Sequence, residues 1–159
     1  MVKPKAIATI PSGRGLCSFV VFGALLSVHS VQADIAVIVN ASNPVQSLTA
    51  KQVAELYLGR TRTFESGQHA IVIDQGLDDP VRRRFFKDIS GLSIGQVNAF
   101  WSRLKFTGQM QAPKSVDGDS AVLEWVRSTP TAIGYVSAIA SSDPKVKTVL
   151  VLHEQVAAN

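Results

Sequence analysis

Cysteine is almost absent from this chain: its one example, Cys17, lies ahead of a short apolar run near the start. Beyond residue 33 there is none, which excludes a disulfide, a thiol nucleophile and a thiolate metal site there. Charge is sparse too, with Asp, Glu, Lys and Arg making up 18% of the chain, and no acid falls within the first 33 residues. Lys3, Lys5 and Arg14 do fall there, so the remainder sets thirteen basic residues against twelve acidic ones, a net charge of +1. The pI of about 9.5 therefore describes mainly the leading segment. Bulk charge gives no support to a nucleic-acid or membrane-surface partner. GxGxxG, P-loop and HExxH patterns are missing, and with them the usual dinucleotide, triphosphate and zinc-hydrolase sites. His69 opens a strand-like run and His153 lies near the end, neither with a second ligand at metal spacing, so both read as surface histidines. Asp117 and Asp119 flank Gly118 as in a calcium loop, but the next acid, Glu124, comes too early; a turn with a helix N-cap is the expected role. No cofactor, metal or nucleophile–base pair is expected, and hence no enzyme.

What is present starts with a targeting layout. A basic start is followed by an apolar run over residues 16–28, then Val31-Gln32-Ala33 places small residues at −3 and −1 of a cut before Asp34. This is the pattern of a secretory signal peptide over residues 1–33, leaving residues 34–159 in the periplasm. The run is shorter than the about 20 residues needed to span a bilayer; an uncleaved interfacial anchor is the alternative. Cys17 precedes the run, so it does not stand where an acylated lipoprotein cysteine would. Residues 34–159 suffice for one domain with one core.

Strand and helix signals alternate along that domain. IAVIV over residues 35–39 is a β-rich run expected of a strand covered on both faces. Thr49 with Gln52 forms a capping box ahead of Val53, Leu56 and Tyr57 at helical spacing, and Gly59 ends that helix. Residues 70–73 read as a second strand. Asp79 and Pro80 then read as N-cap and first residue of a helix with Val81, Phe85, Phe86 and Ile89 inward and Arg82, Arg83, Arg84 and Lys87 as a solvated basic face. Ser93 with Gln96 caps a helix carrying Val97, Phe100, Trp101 and Leu104. Residues 115–119 read as a polar turn before a helix bearing Val122, Leu123, Trp125 and Val126, with both tryptophans placed in the core. Residues 132–136, where Gly134 permits a close backbone approach, and residues 146–152 read as closing strands. The expected class is α/β, with a mainly parallel or mixed sheet flanked by helices.

Four stretches carry a resemblance to a known family: LTAKQVAELYLGR (48–60), AIVIDQGLDDPVRRRFF (70–86), FWSRLKFTGQMQAP (100–113) and TPTAIGYV (129–136). Together they resemble the second lobe of the phosphate-binding subunit of ABC importers. The resemblance implies a single periplasmic-binding-protein-type lobe, where complete members clamp an anion between two. In that family an arginine and a Ser-Gly-Thr run hold phosphate after the second strand. Here Asp74 stands near the arginine's place and Leu77-Asp78-Asp79 replaces the hydroxyl run, while Gly76 retains the loose backbone.

Ligands of open α/β sheets bind beyond the carboxyl ends of strands, near helix N-termini. The candidate ligand-binding residues are therefore Asn40, Ser42 and Asn43 after the first strand, and Gln75, Gly76, Asp78, Asp79 and Arg82 after the second. The expected function is reversible binding of a small, phosphate-like anion for uptake or sensing. A second copy of the chain, or a membrane transporter or receptor, would complete the site. The rival reading is a periplasmic interaction module whose ligand site is lost. The carboxylates favour the rival and the arginines favour anion binding.

Overall fold

The computed structural model describes residues 33–77, 79–108 and 110–154. Five strands form one mixed sheet in the order β3-β2-β4-β1-β5. Strand β1 (Ile35–Asn40), between β4 and the edge strand β5, is buried along its whole length, as its unbroken apolar run requires. It runs antiparallel to β4 (Ala132–Ser137) and to β5 (Val146–Leu152), with a register shift between Val37 and Ile38 on the β5 side. β2 (Ile71–Gln75) runs parallel to β4, and β3 (Lys114–Val116) lies parallel to β2 at the sheet edge. The mixed α/β class expected from the sequence is the one observed. The polar turn expected over residues 115–119 is instead begun by β3, a strand too short to carry a period-two signal.

The side-chain alternation of β1 feeds two cores. Ile35, Val37 and Val39 face α1 (Ala50–Tyr57), α2 (Pro80–Ser90) and α3 (Ile94–Phe106). Ala36 and Ile38 face α4 (Gly118–Ser128) and a short 3-10 turn at Ala138–Ser141. Both capping boxes form, at Thr49/Gln52 and Ser93/Gln96, and Asp79 caps α2 with Pro80 at its first position. Each such cap is worth about 1 kcal/mol. α1 gives way at Leu58, and Gly59 takes φ 68°, a left-handed conformation that glycine adopts without strain. Tyr57, Phe85, Phe86 and Tyr135 form the aromatic centre, with Phe85 and Tyr135 stacked at 3.7 Å. On the other face Gly134 lets α4 approach β4: a Cβ there would lie 2.5 Å from Val122 Cγ1. Trp101 is buried as expected, but Trp125 is 37% exposed and lies under the Lys114 ammonium at 4.4 Å. An amphipathic stripe is wide enough to place a residue at its wet margin.

Candidate functional site

The antiparallel course of β1 decides the geometry of the candidate residues. Asn40 ends β1 beside the start of β4, whereas Gln75 ends β2 beside the middle and end of β4. The two loops expected to flank one ligand therefore lie at opposite ends of β4. A strand reversal is a pairing outcome that a local apolar run does not encode.

At the Asn40 edge the polar side chains serve the backbone. Asn40 Nδ2 donates to the carbonyls of Val126 and Arg127, both at 2.9 Å, and so satisfies the last turn of α4. Its Oδ1 accepts from Ser42 N–H and Ser42 Oγ–H, at 2.9 and 2.7 Å. Asn43 donates to Pro130 O and accepts from Val45 N–H, both at 3.0 Å. Asn40 and Asn43 are buried, with donors and acceptors already engaged by the chain.

At the carboxyl end of β2 the structure brings together Asp74, Gln75, Gly76, Asp79 and Arg82; Asp78 lies outside the described residues. Arg82 does not join a solvated basic face. It is 3% exposed and pairs with Asp74 through Nε at 2.8 Å. Its Nη1 donates to Asn98 Oδ1 at 2.9 Å, and its guanidinium lies 5.2 Å from the Phe86 ring centre. Position 82 precedes Phe85, Phe86 and Ile89 by three, four and seven residues, so it shares their inward stripe. That spacing was readable, but an arginine is rarely placed inside unless a partner is known. Arg84 also turns inward, to Asp88 at 3.3 Å and to the Leu152 carbonyl.

Asp74 accepts from Tyr135 Oη–H at 2.6 Å and from Gln75 N–H at 2.9 Å. Burial pushes its carboxyl above the ordinary value of 3.8, against the Tyr135 hydroxyl and the Arg82 guanidinium, which pull it down. Burial and the neighbouring Asp74 charge also raise the Tyr135 and Tyr57 phenols, keeping both protonated. Gln75, 1% exposed, donates from Nε2 to Asp119 Oδ1 at 2.9 Å and to Tyr135 O at 3.0 Å, while its Oε1 has no donor among the described residues. Asp119 also accepts from Ser137, through both the hydroxyl and the amide. Thus Asp119 ties α4 to β2 and β4, and Asp117 stands at the N-cap position without a side-chain cap. A Cβ on Gly76 would lie 2.8 Å from Asp117 Oδ1, so this carboxylate closes over the loop. Asp79 Oδ1 accepts from Val81 N–H at 2.7 Å and so occupies an amide that an anion would use. Tyr135, Asn98, Asp119 and Ser137 are the members that the sequence reading did not assign to this edge. Asp119 and Ser137 lie at the ends of α4 and β4, whereas Asn98 and Tyr135 lie within α3 and β4, and they share no sequence signal beyond polarity.

Chemically, this edge is a closed ion pair inside a rim of carboxylates. No cluster of His, Cys, Asp and Glu suited to a metal occurs among the described residues. Gly91-Leu92-Ser93-Ile94-Gly95 spells GxSxG, but it joins two helices and Ser93 Oγ accepts from Gln96 N–H as a cap. It lacks the strand-to-helix elbow that exposes a nucleophile. No helix among the described residues is long and apolar enough to cross a membrane. A groove of about 1040 Å³ lies elsewhere, at the amino-terminal end of β2.

No protein-family model and no curated protein sequence matches the chain. Among solved structures it is similar to an ABC-type phosphate transport receptor from Vibrio cholerae, with 21% identity and a TM-score of 0.57 over 74% of this chain and 46% of that one. It is also similar to a possible phosphate binding protein from Planctomyces limnophilus, with 14% identity and a TM-score of 0.54 over 74% of this chain and 41% of that one. The fold is that of these binding proteins, and the chain spans less than half the length of either.

Proposed function

We propose that this is an exported, non-catalytic binding module of the solute-binding-protein type, which recognises a partner protein and whose own anion edge is closed. The observation that carries the reading is the buried Asp74–Arg82 pair. It commits the α2 cation nearest this edge, Arg82, to an internal carboxylate, while Asp79, Asp117 and Asp119 stand around the same edge. Each carboxylate near a bound phosphate opposes it by about 1 to 4 kcal/mol per charge pair. A helix N-terminus returns only about 0.3 to 1 kcal/mol. Export rests on the layout of residues 1–33. A membrane transporter or receptor is the partner class suggested by the likeness to a transport receptor.

One observation favours a second reading, reversible binding of a small anion such as phosphate for uptake or sensing. Asp117 makes no side-chain bond to the start of α4, which leaves first-turn amides beside Gly76 without a side-chain acceptor. A homodimer would supply the other half of such a site. Titration calorimetry of the protein recovered from the periplasm, against inorganic phosphate and sulfate, separates the two. The first reading expects no saturable heat up to about 1 mM. Micromolar phosphate binding would overturn it and establish the second.

A further inference from the structure

We infer that the groove at the amino-terminal end of β2 is a docking site for an extended, carboxylate-rich peptide segment of a partner protein, an inference that rests on the interaction-module reading above. The first support is charge. Arg62, Lys105 and Lys114 line the groove and no Asp or Glu among the described residues does, although residues 34–159 are nearly neutral. Lys114 directs its ammonium to the Trp125 ring, so Arg62 and Lys105 supply the groove's own positive field. Opposite charge across an interface steers encounter and sets register.

The second support is the sheet edge. β3 pairs only with Ile73, Asp74 and Gln75. Ahead of β2, the chain folds back on itself through the Thr63–His69 bridge and the Ala70 N–H to Arg62 O bond. Ile71 and Val72 lie in the gap between. Ile71 N–H donates to Thr131 O on the β4 side. Backbone groups alternate along a strand, so the Val72 N–H is directed the other way, toward the groove side where Ala112 and Pro113 lead into β3. An extended peptide can meet such an edge with its own backbone.

The third support is apolar surface. Ile71, 38% exposed, and Met110 line the groove over the buried Leu56 and Trp101. Phe106, 94% exposed, follows the lining residue Lys105 at the end of α3. A groove of about 1040 Å³ lies at the upper limit of the roughly 300 to 1,000 Å³ typical of small-molecule pockets, and suits a chain segment. Single-stranded nucleic acid fits less well, because base stacking needs a run of exposed ring faces; the lining ring of Trp101 is 7% exposed, and among the described residues Phe106 alone stands exposed beside the groove.

Fluorescence anisotropy tests this with the full chain and two labelled short peptides, one alternating glutamate with valine and the other lysine with valine. The acidic peptide is expected to bind and the basic one not. Arg62→Glu with Lys105→Glu should weaken binding by about tenfold or more, and added salt should weaken it as well. No binding, equal binding of both peptides, or binding unchanged by the double substitution overturns the groove assignment. So does an oligonucleotide or citrate that displaces the peptide at lower concentration than the peptide's own affinity. If the acidic peptide binds but ignores the substitutions, the interaction-module reading survives and the groove falls. Micromolar phosphate binding in calorimetry sinks the module reading on its own, whatever the peptides do.

Discussion

The two ends of β2 present opposite chemistry on one short strand. At the carboxyl end, Asp74, Arg82, Asn98, Gln75, Asp119 and Tyr135 answer one another, and only Gln75 Oε1 lacks a partner among the described residues. At the amino end, cations line a groove that holds no carboxylate among the described residues. Buried polar atoms must be satisfied wherever they are. Where the chain satisfies them itself, the surface offers little to a ligand; where it leaves donors and charge at the surface, recognition can occur. The residues that most resemble a ligand site are therefore the ones the fold has already used.

The largest expected effect attacks the closed end. Arg82→Met leaves the buried Asp74 without its counter-charge and should cost about 3 to 5 kcal/mol in denaturant unfolding, with most of it recovered by adding Asp74→Leu. A loss below about 1 kcal/mol would mean that the pair is solvated and the edge open. Next comes the packing between the two ends. Gly134→Val should cost about 1 to 3 kcal/mol through overpacking, since its Cβ would meet Val122 Cγ1 at 2.5 Å. A neutral result would show α4 free to move away.

Smaller effects probe the carboxylates directly. Asp78→Ser with Asp79→Thr should change stability by less than about 1 kcal/mol, because threonine still caps. Phosphate should remain unbound, since Arg82 stays held by Asp74. Gain of micromolar phosphate binding in calorimetry would identify the loop as an anion half-site blocked by its acids alone.

The smallest effect is a contrast in titration between two aspartates. Burial raises Asp74 above 3.8, so its contribution to stability is full below 3.8 and lost as pH rises through its folded value. Asp34 is lowered, first by the Glu154 amide and then by His153, so its contribution is present above 3.8 and lost as pH falls through its folded value. Carboxyl chemical shifts followed against pH should place the Asp74 midpoint above 3.8 and that of Asp34 below. Coincident midpoints would mean that Asp74 is not desolvated.

Much of the fold was legible. Thr49, Asp79 and Ser93 announced three helix starts, and the apolar runs over 35–39 and 146–152 announced strands, because caps and periodicity are local. The edge strand at Lys114–Val116 was not legible, since three residues borrow their conformation from β2. The candidate site was legible in part. Gln75, Gly76, Asp79 and Arg82 do share one edge, but Asn40, Ser42 and Asn43 do not join them. Arg82 was read as solvated because its partner, eight residues earlier in the chain, faces it only once β2 and α2 have packed.

By itself the sequence determined the α/β alternation, the helix starts, the cysteine-free domain and the carboxylates after β2, all properties that neighbouring residues settle among themselves. Tertiary structure decided the direction of β1 and the burial of Arg82 against Asp74. It also decided that Asn40 would cap α4 from 86 residues away, and that the open groove would lie at the amino end of β2. Those outcomes depend on which distant groups meet, and a buried donor or charge takes whichever partner the packed chain brings within reach.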